Sequence, residues 1–179
     1  MDEGPSLARR VILVTGPQAA GKTTVSSLLA RRFERGVHLE GDVFRRFIVA
    51  GREEMTPEAS EEALRQLRLR YRLTASAAQA YADEGFTVIV EDIVAGPMLA
   101  EVVALLGIEP RDVVVLMPSR ESIGQREAGR EAKGYGRWSI DQLYDLFETD
   151  TPRVGVWLDT STMTPEEAAD SILASRAVP

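Results

Sequence analysis

The sequence predicts an α/β fold with a doubly wound parallel sheet, and three observations carry that prediction. Strand and helix signals alternate along the whole chain, a glycine-containing run joins the first strand to the first helix, and acidic residues stand where later strands end. Val11 to Val14 is an apolar run of strand length, and Thr24 to Phe33 carries Val25, Leu28 and Leu29 at helical spacing. Val37 to Glu40 reads as a second strand, a helix opens near Asp42, and a long helix is expected from about Pro57 to Asp83. Phe86 to Val90 is a third apolar strand, Pro97 to Leu106 a helix, and Val113 to Met117 a fourth strand. Ser119 to Ala132 and Ser139 to Phe147 read as helices, Val154 to Leu158 as a fifth strand, and Thr164 to Ser175 as a closing helix. Ligands of such a sheet belong at the carboxyl ends of its strands.

The run Gly16-Pro17-Gln18-Ala19-Ala20-Gly21-Lys22-Thr23 fits the phosphate-binding pattern G-x4-G-K-S/T, in the strand-to-helix context that the pattern requires. Gly16 and Gly21 permit backbone angles at which successive N–H groups converge on phosphate oxygens, and the helix beginning near Thr24 aims its positive end at the same point. Lys22 is then placed to reach β- and γ-phosphates, and the Thr23 hydroxyl to ligate Mg²⁺. The implied ligand is ATP with Mg²⁺.

At 179 residues, 44% hydrophobic and 27% charged, the chain is expected to be a single domain, 1–179, with a full core. It has no cysteine, which excludes a disulfide framework and a thiolate metal site. A net charge of −7 argues against general nucleic-acid binding, so an anionic nucleotide must be held by local cations. No apolar run approaches membrane-span length, and Met1 to Pro5 lacks the basic and apolar character of a signal peptide. A cytoplasmic monomer or homodimer with no nucleic-acid or membrane partner is the expectation.

Three constellations stand just beyond predicted strand ends. In Glu40-Gly41-Asp42-Val43-Phe44-Arg45-Arg46, Asp42 opens a helix, where aspartate is a good N-cap. The same position suits a carboxylate that accepts a hydroxyl proton and orients the oxygen for in-line attack, and Asp42 is the first choice for that base. In Val88-Ile89-Val90-Glu91-Asp92, the strand ends in two acids, as expected of the strand that supplies a Mg²⁺-side carboxylate. Asp92 is the expected metal residue, with Glu91 and Asp92 both on the acceptor side; which of the two faces inward is open, because adjacent strand residues point to opposite faces. The third constellation is Arg120, Arg126, Arg130, Lys133 and Arg137. Arg126 and Arg130 share one helical face, and with Glu121, Glu127 and Glu131 interleaved the segment reads as a solvated face in isolation. Beside a phosphate loop, the same segment, about 119–138, reads as an arginine-bearing lid that excludes water.

With these residues in place, the chain resembles small-molecule kinases of the nucleoside monophosphate kinase fold. The resemblance rests on the phosphate loop, the run Gly41-Asp42-x-x-Arg45, the acids Glu91-Asp92, the Arg126-x-x-x-Arg130 helix and the strand end Leu158-Asp159-Thr160-Ser161. It covers about Arg10 to Ala174, and its layout is most similar to the chloramphenicol phosphotransferase family, with parts shared by adenylylsulfate and gluconate kinases. The resemblance implies a three-layer fold with a five-stranded sheet in the order 2-3-1-4-5. It also implies a catalytic aspartate at Asp42, a nucleotide contacting Gln18, Ala19, Ala20, Thr24, Arg120, Thr160 and Ser161, and an acceptor near Phe44, Arg45 and Arg46.

Acceptor identity does not follow from these motifs. On the long helix, Leu64, Leu67, Tyr71, Ala75 and Ala78 form an apolar stripe, and Arg65, Arg68 and Arg72 a second stripe, with Glu61 placed to pair with Arg65. That arginine stripe is a solvated face, or, if it meets the cleft, a sign of an anionic acceptor. His38 reads as a packed strand residue, and Tyr135 and Trp138 as candidates to cover an aromatic ligand. High arginine and alanine use without any asparagine points to a GC-rich genome of the actinobacterial kind, from which an antibiotic or other secondary-metabolite acceptor is expected, with a primary metabolite as the alternative. The absence of asparagine also excludes the Asn-Lys-x-Asp guanine reader of switch GTPases. A non-kinase NTPase and a ligand-sequestering resistance protein are the less favoured alternatives: motor ATPases generally need more chain and a partner-supplied arginine, and an intact Lys22-Thr23 pair with a carboxylate at Asp42 argues against sequestration.

Overall fold

The computed structural model describes residues 10–128 and 138–176. Five strands form one parallel sheet: β1 (Arg10–Thr15), β2 (Gly36–Glu40), β3 (Thr87–Glu91), β4 (Val113–Leu116) and β5 (Val156–Leu158), in the order β2-β3-β1-β4-β5. Helices α1 (Lys22–Ala30), α2 (Asp42–Arg46), α3 (Glu61–Asp83), α4 (Met98–Leu106), α5 (Arg120–Ala128), α6 (Ile140–Asp145) and α7 (Pro165–Arg176) connect and flank them. This is the three-layer phosphate-loop kinase fold.

Because both faces of a parallel sheet are covered, the middles of its central strands are apolar runs, and alternate residues serve different helical layers. Val11, Leu13, Val88, Val90, Val113 and Val115 pack with Tyr71 and Ala78 of α3 and with Leu99 and Val102 of α4. Ile12, Val14, Ile89, Val114 and Leu116 pack with Val25 and Leu29 of α1 and with Ala168 and Ile172 of α7. The parallel register brings Val14, Glu91 and Glu40 level, so the ends of β1, β3 and β2 open onto one edge.

Several boundaries differ from the sequence expectation, each for a local reason. The long helix starts at Glu61 rather than Pro57, because the Ser60 side chain accepts the Ala63 N–H at 3.0 Å and caps the helix there. Ser139 and Gln142 form a capping box that opens α6, and the segment then widens into a π-type turn, Leu146–Asp150, where one regular helix was expected. β5 is shortened to three residues by Gly155, which has φ 82° and packs so closely on Val113 that an added Cβ would lie 2.3 Å from its carbonyl oxygen. Arg65 pairs with Glu62, not with Glu61. Among the described residues, no helix is long and apolar enough to cross a membrane.

Candidate active site

The phosphate loop turns out of β1 through Gly16, whose φ of 145° brings it so close to the end of β4 that a Cβ would sit 2.3 Å from the Leu116 carbonyl oxygen. Ala19 and Gly21 also take positive φ, 59° and 91°, and Val25 N–H closes the first turn of α1 on the Gly21 carbonyl at 3.1 Å. Lys22 is buried and folds its ammonium back to donate to the Pro17 carbonyl at 2.9 Å. Gln18 donates to Glu127 of α5 at 2.7 Å, Ala20 is buried, and Thr23 and Thr24 lie open to solvent on the first turn of α1.

The two acids at the end of β3 divide between the layers. Glu91 shares the face of Ile89, which packs against α1, and its carboxylate accepts the Thr23 hydroxyl at 2.7 Å while its other oxygen meets His38 Nε2 at 2.7 Å. Asp92 shares the face of Val90, toward α3, and one of its oxygens accepts from Arg70 at 2.7 Å and from the Ile93 N–H at 2.7 Å. Arg70 also donates to Asp42 at 3.2 Å, so a single guanidinium joins the acids that end β2 and β3. A Cβ at Gly41 would fall 2.2 Å from the second Asp92 oxygen, which is why only glycine lets that acid lie against the β2 end. Burial drives the Asp92 pKa up to about 6, assisted by the Asp42 charge and opposed by Arg70, the Ile93 N–H and Lys22.

Asp42 is also held by Arg45, at 2.9 Å, and Arg45 in turn reaches Glu54 at 2.6 Å. Arg46 lies exposed, 3.9 Å from Glu40. Phe44 meets Phe47 edge to face, with ring centroids 6.0 Å apart. An open cavity of about 540 Å³ lies between α2, the first half of α3, residues 93–98 and α6, and Phe44, Arg45, Arg70 and Trp138 line parts of it.

Over the phosphate loop, Arg126 donates to the Ala20 carbonyl at 3.3 Å and the Thr160 carbonyl at 2.8 Å, joining loop, α5 and the end of β5. Thr160 is buried, and the Ser161 hydroxyl accepts the Ser119 N–H at 2.8 Å. Arg120 turns away from the loop: it bonds Asp145 at 2.5 Å and Glu148 at 3.0 Å and lies over Tyr144. Arg130, Lys133, Tyr135 and Arg137 lie outside the described residues.

Sequence reasoning missed Arg70. The stripe it weighed, Arg65, Arg68 and Arg72, is exposed, with Arg68 bonded to Glu101 of α4 at 3.2 Å, and none of the three lines the cavity. Arg70 stands at helical spacing with Ala63, Leu67, Thr74 and Ala78, on the face turned inward, and a charge on that face was the available signal.

A family model described as an AAA domain matches residues 11–149. No curated protein matches the chain by sequence. Among solved structures, a sugar kinase from Janibacter sp. is similar at TM-score 0.68 and 23% identity, over 92% of this chain and 92% of that one. The Deinococcus radiodurans tunicamycin resistance protein is similar at TM-score 0.65 and 18% identity, over 95% of this chain and 96% of that one. The Acinetobacter baumannii shikimate kinase in complex with shikimate gives TM-score 0.65 and 18% identity, again over 95% and 96%. These likenesses show the fold, and the family match, which spans most of the chain, shows that it belongs to the AAA domain family.

Proposed function

We propose that the chain is an ATP-dependent phosphotransferase that moves the γ-phosphate of Mg-ATP to a hydroxyl of a small molecule. The observation that carries the reading is the Asp42–Arg70–Asp92 cluster. It stands at the ends of β2 and β3, with Lys22 close enough to act on Asp92, and its Arg70, like the neighbouring Arg45, also lines the cavity.

In this reading Asp42 accepts the proton of the acceptor hydroxyl as its oxygen bonds to the γ-phosphorus and ADP leaves. Asp42 is the better base of the two acids because its side chain is partly open to solvent where that of Asp92 is buried, and taking the proton loosens its bonds to Arg45 and Arg70. Asp92 instead positions Arg70, which holds Asp42. Lys22 and Arg126 exchange their backbone carbonyl partners for phosphate oxygens and stabilise the charge that develops on them. The adjacent Thr23 hydroxyl and Glu91 carboxylate are hard oxygen donors that fit Mg²⁺, an ion that takes few protein ligands beside phosphate and water. Glu91 is therefore preferred to Asp92 as the acid on the metal side. When bound, Mg²⁺ would neutralise charge on the β- and γ-phosphates. α5, carrying Arg126, forms the described part of the lid.

For the acceptor, sugar and shikimate kinases among the similar structures support a primary-metabolite alcohol more than an antibiotic, for which the tunicamycin resistance protein is the parallel. The narrower resemblance to chloramphenicol phosphotransferase is not a guide to substrate.

The test is ADP release from Mg-ATP with and without a panel of alcohols. An accepted alcohol is expected to raise turnover by about 10²-fold or more, and Lys22→Ala to abolish that rise while circular dichroism stays unchanged, because the loop keeps its backbone shape without the lysine. Turnover indifferent to every alcohol, or to the loss of Lys22, overturns the reading.

A further inference from the structure

The wall of the cavity is apolar where an acceptor must lie. Phe44, Phe47 and Ile48 form one side, Leu64 and Leu67 of α3 the opposite side, and Leu146 lies at the α6 end. Phe47 is 69% exposed, and Leu69 and Leu73, which also line the cavity, are 39% and 41% exposed. Apolar side chains gathered in a concave surface and left open mark a binding site, and about 540 Å³ falls in the range of small-molecule pockets.

The charges of the lining are matched internally. Among the described residues its two cations, Arg45 and Arg70, stand with two anions, Glu53 and Glu54, and behind them Asp42 and Asp92 add further negative charge. Arg45 bonds Asp42 and Glu54, and Arg70 bonds Asp42 and Asp92, so an anionic acceptor would have to take a guanidinium from carboxylates that then lie uncompensated. Gln66, Tyr71 and Glu53 are committed too. Gln66 is tied to Gly51, Glu53 and Glu62, Tyr71 donates to the Ile93 carbonyl at 3.0 Å, and Glu53 accepts from Ser60. A polyol entering here would leave most of its hydroxyls without partners, which costs more than burying its carbon skeleton returns.

We propose that the acceptor is an uncharged, largely apolar alcohol with an aromatic or alicyclic body, seated between α2 and α3 with its hydroxyl toward Arg70 and Asp42. The proposal rests on the phosphotransferase reading for the word acceptor, but the pocket's ligand class is testable without turnover.

The experiment uses the full chain and an uncharged fluorescent probe, N-phenyl-1-naphthylamine, displaced in turn by 3-phenyl-1-propanol, D-gluconate and shikimate, with phosphate transfer to each alcohol measured in parallel. Saturable binding, displacement by the phenylpropanol and none by the two anions are expected. Phe47→Ser, a change at an exposed position, should weaken displacement by about tenfold, the scale of one aromatic ring partly withdrawn from water. Lys22→Ala should bind the probe as the unaltered chain does. Displacement by the phenylpropanol without transfer to it supports the ligand class, and the phosphotransferase reading is then decided by the wider panel of alcohols. Failure of the probe to bind, displacement by gluconate or shikimate, or an equal response from Phe47→Ser overturns the proposal while leaving that reading untouched. Probe binding that falls as protein concentration rises overturns it as well, since a second copy of the chain would then be the occupant.

Discussion

The two ends of the cleft are built on different principles. On the phosphate-loop side the working parts are largely backbone: Gly16, Ala19 and Gly21 bend a short loop through positive φ between one strand and one helix, all within a contiguous run. On the cavity side they are side chains from distant segments, with Asp42 after β2, Asp92 after β3 and Arg70 from the third turn of α3 meeting at 2.7–3.2 Å. A backbone site tolerates loss of a charge without losing shape. A site made of opposed buried charges depends on each member for both stability and chemistry.

Asp42→Asn should expose that difference most. Transfer is expected to fall roughly 10²- to 10⁴-fold, with Mg-ATP affinity nearly unchanged, because the proposed general base is removed while the loop is untouched. A Mg²⁺ titration of Glu91→Gln and Asp92→Asn sharpens it: the Glu91 variant should need more Mg²⁺ and the Asp92 variant should not. If the roles come out reversed, Asp92 is the acid on the metal side after all.

Next in size is Arg70→Met. Removing the shared guanidinium leaves Asp92, which is buried, without its ion pair, a loss of about 3–5 kcal/mol of stability in urea unfolding. The double variant with Asp92→Asn should recover much of that, since no buried charge remains, and an Arg70→Met protein as stable as the original would show that the cluster is already solvated.

Arg126→Ala should act on the phosphate-loop side in the opposite sense, lowering kcat by about 10²-fold if its bonds to phosphate form mainly in the transition state, with unfolding shifted by less than about 1 kcal/mol. Full kcat with lost stability would make Arg126 a strut between the Ala20 and Thr160 carbonyls and nothing more.

The smallest effect is a pH dependence of stability. Asp92 loses its proton near 3.8 when unfolded and near 6 when folded, so between those values the native state binds more protons. Its contribution is fully present below 3.8 and is lost as pH rises through about 6. Comparing unfolding free energies at pH 4.5 and 6.5, the Asp92→Asn protein should lose less stability across that interval than the original. An equal change in both would mean that Asp92 does not titrate there.

Much of this was legible in the chain. The alternation of apolar runs and amphipathic helices determined the layers, and the phosphate loop declared itself because its geometry is written in consecutive residues, Gly16 to Thr23. Glu91 and Asp92 were visible as a pair of acids, but their division of labour was not. It follows from strand alternation once Ile89 is known to face α1 and Val90 to face α3, and only the packed sheet supplies that assignment.

The sequence by itself determined the strand-loop-helix at Lys22, the places of Asp42 and Asp92 beyond strands, and the arginine on α5, because each depends on spacing within a few residues. Only the tertiary structure decided that Arg70, one arginine among several on a long helix, is the residue that meets both acids, and that the surface around them is apolar. The physical reason is range: backbone angles and helical periodicity act between near neighbours, whereas the pairing of buried charges 22 and 28 positions apart is settled by which faces of sheet and helix exclude water from each other.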